Sequence, residues 1–351
     1  MSRKIKVFLY AHINQIGAFN LSARYLAEHL GKEDFDIYTL ALSKGTLGIP
    51  KYKGVKVFNC FYPAKISNFM GIIWGVYYAD VVFVMRGNHY KFVRWCLKIS
   101  GKKSFKRQGN KIDDSVISSI ASAVGGESNI PSSFNFCDKV YAPSLIIGNY
   151  NAERWDIKYE TDYTLPPFIN VAGFLPSKRQ RRKVKNVVFI GNDMIRKNIE
   201  FFLELALKNP LLSFNVIGKS PYESFFEEAP KNLNYIGVKN PEELNSFLDD
   251  MDLHCFTSRS EGFGKVTIEL AEKGIPSILF DDYGAKEWLK SEKEGWIVSS
   301  ENEYLDALSH LVSNPSKYQE LIEGLPSLLE RFSMKNQLRQ YEEVIQYVYA
   351  S

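Results

Sequence analysis

The chain has 351 residues, 45% of them hydrophobic and 24% charged, with a net charge of +4. That length fits two domains, the composition is that of a soluble globular protein, and so mild a positive charge gives no reason to invoke nucleic acid. The four cysteines, Cys60, Cys96, Cys137 and Cys255, have no CxxC spacing, so they read as reduced core thiols, neither a zinc site nor a disulfide framework.

The N-terminus, M-S-R-K-I-K-V-F-L-Y-A-H, starts charged, and its apolar run is too short and interrupted for a secretory signal. Ile5 to Ala11 is a continuous apolar run of strand length. A loop with Gly17 follows, then apolar residues at helical spacing over Leu21 to Leu30. Asp36–Leu42 and Val55–Asn59 read as strands. The longest apolar run, Phe69 to Met85, is broken by Asp80 and is shorter than a membrane span. It reads as a helix over Met70–Tyr78 and a core strand over Val81–Met85. Lys103–Arg107 is a polar candidate strand, Ile112–Ala123 a helix, Lys139–Ala142 a strand and Leu145–Asn151 a helix.

The pattern then breaks. Leu165-Pro166-Pro167-Phe168 is followed by Pro176 and six basic residues in eight positions, Lys178 to Lys185. This is an interdomain boundary rather than a core strand. Alternation resumes with strands at Val187–Ile190, Phe214–Ile217, Asn234–Ile236, Leu253–Thr257, Ser277–Phe280 and Trp296–Val298. Helices are expected over Asn198–Asn209, Pro241–Leu248 and Lys265–Lys273, then over 302–314 and 316–348. The expected domains are 1–168, a basic linker at 169–186, 187–330, and a C-terminal helix at 331–351 packing back toward the first domain. The fold class is α/β, two Rossmann-like domains with parallel sheets facing a cleft.

One stretch concentrates the chemistry. In S-R-S-E-G-F-G-K-V-T-I-E-L-A-E-K-G-I-P, Ser258 to Pro276, Gly262 and Gly264 make a loop where backbone can approach a ligand. The helix after it offers unpaired N–H groups and partial positive charge to a phosphate. Glu261 and Glu269 flank that point, and carboxylates accept from the hydroxyls of a sugar or ribose. Phosphate between two hydroxyl-binding groups describes a nucleotide sugar. The plainer reading is an ordinary βα unit with surface glutamates.

This stretch resembles the signature of the retaining GT-B glycosyltransferases of the family 4 type. Glu261, Gly262, Phe263, Gly264, Glu269, Ala271, Gly274 and Pro276 fill the pattern. The resemblance continues upstream in Gly191 and Lys197, but Asn192 stands where relatives carry Arg, and Asn198 where they usually carry Gly. It implies that Lys197 and the N–H groups of Phe263 and Gly264 stabilise the leaving diphosphate, that Glu261 orients the donor sugar and that Glu269 holds the ribose. Gly17, Gly191, Asn192, Gly218, Val238 and Lys265 complete the expected donor site, with Arg196 as the candidate replacement for the missing Arg. Further matches are Tyr235-Ile236-Gly237-Val238, and Gly284 with Glu287.

The acceptor is expected in the N-terminal domain, at strand C-terminal ends carrying Arg86, Asn88 and His89, and Gln108. A loop histidine such as His89 is more often structural. Asp250-Met251-Asp252 has the form of a metal-binding DxD string. Because Asp252 directly precedes a strand where the family often has Asp, no essential metal is expected. His254 and Glu261 lack a third ligand. No cofactor is expected beyond the nucleotide-diphosphate sugar, which is substrate. The implied activity is retaining transfer of a sugar to a hydroxyl of a glycan or lipid-linked acceptor in bacterial surface polysaccharide synthesis. The expected location is the cytoplasm, with a possible peripheral seat on the inner membrane face through two basic runs: Lys98, Lys102, Lys103, Lys106, Arg107 and Lys111, and Lys178 to Lys185. The alternatives are a nucleotide-sugar-binding protein without turnover, or a phosphorylase or epimerase of the same fold.

Overall fold

The computed structural model describes residues 3–176, 181–221 and 225–351. The chain forms two compact units, residues 1–170 with 335–351, and residues 171–334. Lys178 and Arg179 of the second basic run lie outside the described residues.

The N-terminal unit runs β1 (Ile5–His12), α1 (Ala18–His29), β2 (Phe35–Leu42), β3 (Val55–Cys60), α2 (Ala64–Tyr78), β4 (Val81–Phe83), α3 (Tyr90–Ser100), β5 (Lys103–Arg107), α4 (Ile117–Val124), α5 (Ser132–Asn135), β6 (Lys139–Tyr141) and α6 (Leu145–Trp155). Its six strands lie in the order β3-β2-β1-β4-β5-β6 and all pair in parallel. The apolar run of β1 is buried from Val7 onward because helices cover both faces of such a sheet.

The second unit runs β7 (Asn186–Ile190), α7 (Ile199–Lys208), β8 (Ser213–Ile217), β9 (Leu233–Gly237), α8 (Pro241–Leu248), β10 (Leu253–Phe256), α9 (Lys265–Glu272), β11 (Ser277–Phe280), β12 (Trp296–Val298), α10 (Glu301–Ser313) and α11 (Pro315–Arg331). Its order, β12-β11-β10-β7-β8-β9, repeats the first. Each sheet therefore reverses direction beside its first strand, at β1/β4 and at β7/β10. The crevice beyond the strand ends at such a reversal is where ligands bind in open α/β sheets. Two Rossmann-like units of this kind are the GT-B architecture.

Three elements differ from the sequence reading. α3 was not expected, because exposed Trp95 and Ile99 blur the buried set of Tyr90, Val93, Cys96 and Leu97. The helix expected from Ile112 starts only at Ile117, after a turn in which Asp113 Oδ1 accepts from Ser115 N at 3.1 Å and Oγ at 2.6 Å. The long C-terminal helix is broken at Phe332–Ser333, and α12 (Met334–Ala350) belongs to the N-terminal unit from Lys335 onward. There Gln337 bonds both backbone groups of Ile169, at 2.7 and 2.8 Å, and the Tyr341 hydroxyl donates to Pro166 O. Among the described residues, no helix is long and apolar enough to cross a membrane.

Candidate functional site

At the β7/β10 reversal two loops meet, residues 191–198 after β7 and 257–264 after β10. Their approach depends on glycine. A Cβ on Gly191 would lie 2.2 Å from Lys197 Cδ, so only glycine lets that side chain cross the strand end. A Cβ on Gly218 would lie 1.9 Å from the Gly191 carbonyl oxygen, at a φ of 140°. The position expected to be Gly by family pattern, Asn198, is left-handed with φ 56° and caps α7 by accepting from Phe201 N. Asn is the residue that tolerates this conformation best after glycine, so the substitution preserves the backbone.

Lys197 Nζ lies 2.6 Å from Glu261 Oε1 and 4.8 Å from the Phe256 ring centroid. The Thr257 hydroxyl donates to Lys197 O at 2.9 Å, tying the two loops together. Arg196 joins the same carboxylate, with Nη1 3.5 Å from Glu261 Oε1, while its Nε binds Asp193 at 2.8 Å and Nη1 also donates to Ser260 O. Two cations thus converge on one carboxylate. Asn192 instead accepts from Lys219 N at 3.2 Å.

The glycine loop is held from beneath. Phe263 is buried and stacks on Trp288, with centroids 4.8 Å apart, so only its backbone serves the loop. Gly264 is the left-handed N-cap of α9, and with no side chain it leaves the first turn without a side-chain cap. Glu269 projects from α9 with its side chain exposed. Partial desolvation raises its carboxyl above the usual range, against the opposing charge of Lys265. Tyr283, which the sequence reading passed over, is buried behind the loop. Burial first, and the Glu261 charge second, raise its hydroxyl well above the ordinary value. Gly218 and exposed Val238 stand at the ends of β8 and β9, where Tyr235 donates to Gly218 O and accepts from Ser220 N.

Other candidates have structural duties. His254 is fully buried against Ser277, 3.0 Å from its hydroxyl, and burial pushes it down to about 3. Asp252 accepts from Lys185 N and Asn186 N at 2.9 and 2.8 Å, fixing the start of β7. Arg181 is buried and donates to the carbonyls of Met251, Lys273 and Leu248. It serves the C-terminal ends of α8 and α9, where a cation is favoured, and leaves the basic run at that point.

The β1/β4 reversal in the N-terminal unit holds Gly17, whose φ of 143° suits glycine, and the acceptor candidates. Arg86 donates to His12 Nδ1. An arginine only donates, so His12 carries its proton on Nε2, which lies 2.8 Å from Asn68 Oδ1. Burial, then Arg86, press His12 down to about 4 and keep it neutral. No sequence motif marks His12. Asn88 O accepts from Tyr10, whose buried hydroxyl is pushed up to about 12. His89 is left-handed, its ring against Phe69 with centroids 5.1 Å apart, and burial and Arg86 lower its pKa. Gln108 is fully buried and accepts from Asn151 at 2.7 Å. Arg86 and Asn88 line a cavity of about 270 Å³, together with Phe19, Lys106, Arg107 and Asn110. Lys106 and Arg107 are buried, so the first basic run does not form one surface.

Residues 174–326 match the family model of glycosyl transferases group 1. The match falls within the second unit. An uncharacterized glycosyltransferase of Haemophilus influenzae is 21% identical over 223 residues, 60% of this chain and 61% of that protein, so the match spans less than two thirds of that relative. In fold, the chain is similar over 98% of its length to all of Anabaena HepE, solved in complex with UDP and glucose, at a TM-score of 0.74 and 11% identity. It is similar over 99% of its length to all of a sucrose-phosphate synthase from Thermosynechococcus elongatus, at 0.75 and 14% identity.

Proposed function

We propose that the protein is a glycosyltransferase moving a sugar from a nucleotide-diphosphate sugar to a hydroxyl of a glycan or lipid-linked acceptor. The observation that carries the reading is the convergence of Lys197 and Arg196 on Glu261 over an uncapped helix N-terminus. Bond cleavage at the anomeric carbon puts negative charge on the leaving diphosphate. Fixed cations and N–H groups stabilise that charge most when they are already in place. In this reading Lys197 and Arg196 turn to the diphosphate, Glu261 is released to the sugar hydroxyls and Glu269 takes the ribose. The binding of UDP by HepE supports a nucleoside diphosphate as the leaving group.

The reading includes retention. Among the described residues, no carboxylate lines the cavity carrying Arg86 and Asn88, so the leaving phosphate is the base nearest in chemistry to the acceptor proton. The experiment is a transfer assay with a panel of nucleotide sugars. Glu261→Ala should lower transfer by about two to three orders of magnitude while the far-ultraviolet spectrum stays unchanged. Donor binding without turnover by wild type on any acceptor favours the binding-protein alternative.

The reading also seats the protein on a cytoplasmic membrane face, in envelope polysaccharide synthesis, through α2 and α3 rather than the basic runs. Ile66, Met70, Ile73 and Tyr77 recur at helical spacing on the exposed side of α2, with Tyr77 71% exposed. Trp95 and Ile99 do the same on α3, and Phe69 meets Phe92 in the seam between the helices. Lys65, Lys91, Arg94 and Lys98 are exposed beside them, and neither helix contains Asp or Glu. An apolar face edged by cations suits an anionic bilayer. Co-sedimentation with phosphatidylglycerol vesicles, absent with phosphatidylcholine and lost in Ile73→Asp/Trp95→Glu, is expected. Equal binding by the variant, or self-association in place of vesicle binding, rules this surface out.

A further inference from the structure

The cavity in the N-terminal unit has walls of one sign of charge. Arg86 comes from the loop after β4, and Lys106 and Arg107 from β5, while no Asp or Glu among the described residues lines it. Lys106 is 4% exposed and Arg107 6%. Lys106 donates to Ser133 O at 2.7 Å and lies 4.2 Å from the Phe134 ring centroid. Burial pulls its pKa down to about 8. Arg107 donates to Gln108 O at 3.0 Å, shares a side-chain hydrogen bond with Tyr341 and faces the Phe19 ring at 5.6 Å, while its Nε finds no acceptor among the described residues. Arg86 is turned to a neutral histidine. Buried cations are costly unless an anion faces them. At the β7/β10 reversal a carboxylate meets that cost, since Glu261 receives Lys197 and Arg196; no carboxylate among the described residues lines this cavity.

We propose that the cavity binds a phosphate group of the acceptor, so that the acceptor is a phosphorylated sugar or a lipid diphosphate sugar rather than a neutral glycan. The proposal rests on the reading that the N-terminal unit receives the acceptor, but its first test requires only the cavity. Three cations line the cavity at the ends of β4 and β5, Lys106 and Arg107 leaving the strand on opposite faces, and an oxyanion that accepts on several oxygens suits such a set, since Arg and Lys are the side chains that bind these groups. Lys106 and Arg107 select the phosphate. They act on binding, not on the transferred bond.

The test titrates inorganic pyrophosphate and inorganic phosphate into the full chain by calorimetry. Wild type and Lys197→Met should both bind. Lys106→Met should lose at least about tenfold in affinity, the usual minimum for a charged hydrogen bond. Replacing a buried cation by a near-isosteric apolar side chain preserves folding, and Arg86→Gln, at a partly exposed position, should weaken binding as well. Tighter binding of pyrophosphate indicates a diphosphate acceptor, and tighter binding of phosphate a sugar phosphate. Binding lost in Lys197→Met but unchanged in Lys106→Met and Arg86→Gln would assign the anion to the donor site and overturn the proposal while leaving the transferase reading intact. No binding by wild type at millimolar anion would overturn it too. Failure of the transferase reading shows separately, as failure to bind any nucleoside diphosphate.

Discussion

The two sheets share one strand order, but their reversal points handle charge in opposite ways. At β7/β10, Lys197 and Arg196 are matched by Glu261. At β1/β4, Arg86 meets a neutral His12, and the nearby cations on β5 meet carbonyls and rings. A matched set can release its cations to a diphosphate and its carboxylate to a sugar. An unmatched set can only gain from an anion. On the proposed reading, the same scaffold supports a donor site whose charges are already matched and an acceptor cavity whose chemistry depends on what enters it.

The largest expected effect separates the two reversal points. Lys197→Met and Glu261→Ala should each lower transfer by about two to three orders of magnitude, the usual cost of one charge-stabilising group, with thermal unfolding nearly unchanged. Arg86→Gln should change the apparent affinity for acceptor far more than that for donor. Equal losses in both would erase the distinction.

Gly218→Ala tests whether the donor side needs its backbone contact. With 1.9 Å to the Gly191 carbonyl, the methyl should cost roughly 4 kcal/mol in urea unfolding, combining a forbidden φ with overpacking. A cost under 1 kcal/mol means that the loops are free to separate.

Acid should unsettle both units. His12 is held at about 4 and His254 at about 3, against about 6.5 in an unfolded chain. Below that value the unfolded state binds more protons, so stability is full above about pH 6.5 and falls as pH drops toward the folded values. For His12 the loss is on the order of 3 kcal/mol. His12→Asn should flatten the slope between pH 6.5 and 4 by about one proton; an unaltered slope contradicts the neutral tautomer.

The smallest effect concerns Asn198. Asn198→Gly should change stability by less than about 0.5 kcal/mol and Asn198→Ala should cost about 1–2 kcal/mol, since alanine loses both the cap and the tolerance of left-handed backbone. Equal costs would mean that the cap, not φ, decides.

This asymmetry also governs what the sequence could reveal. The cluster at β7/β10 was legible because its parts are local: Glu261 to Glu269 occupy one loop and one helix, and glycines mark the points where backbones meet. Lys197 came from the resemblance, which places a lysine after Gly191. Tyr283 escaped because it acts through burial, without a motif. In the N-terminal unit, Arg86 and Asn88 were suggested by their place after a strand. His12 went unnoticed because its role is set by partners at Asn68 and Arg86, 56 and 74 residues away in sequence. The basic run at Lys98–Lys111 misled for a related reason. Charge counts ignore strand direction, and β5 turns Lys106 and Arg107 inward. α3 was lost to an exposed Trp95 that mimics core.

The most direct test of the central claim is a thermal-shift titration of the full chain with nucleoside diphosphates. At 100-fold its dissociation constant, the correct one should stabilise wild type by about 2.7 kcal/mol. It should stabilise Arg86→Gln equally and Lys197→Met little. Stabilisation by none of them, or stabilisation that survives in Lys197→Met, contradicts the assignment of Lys197, Glu261 and the glycine loop to a nucleotide sugar.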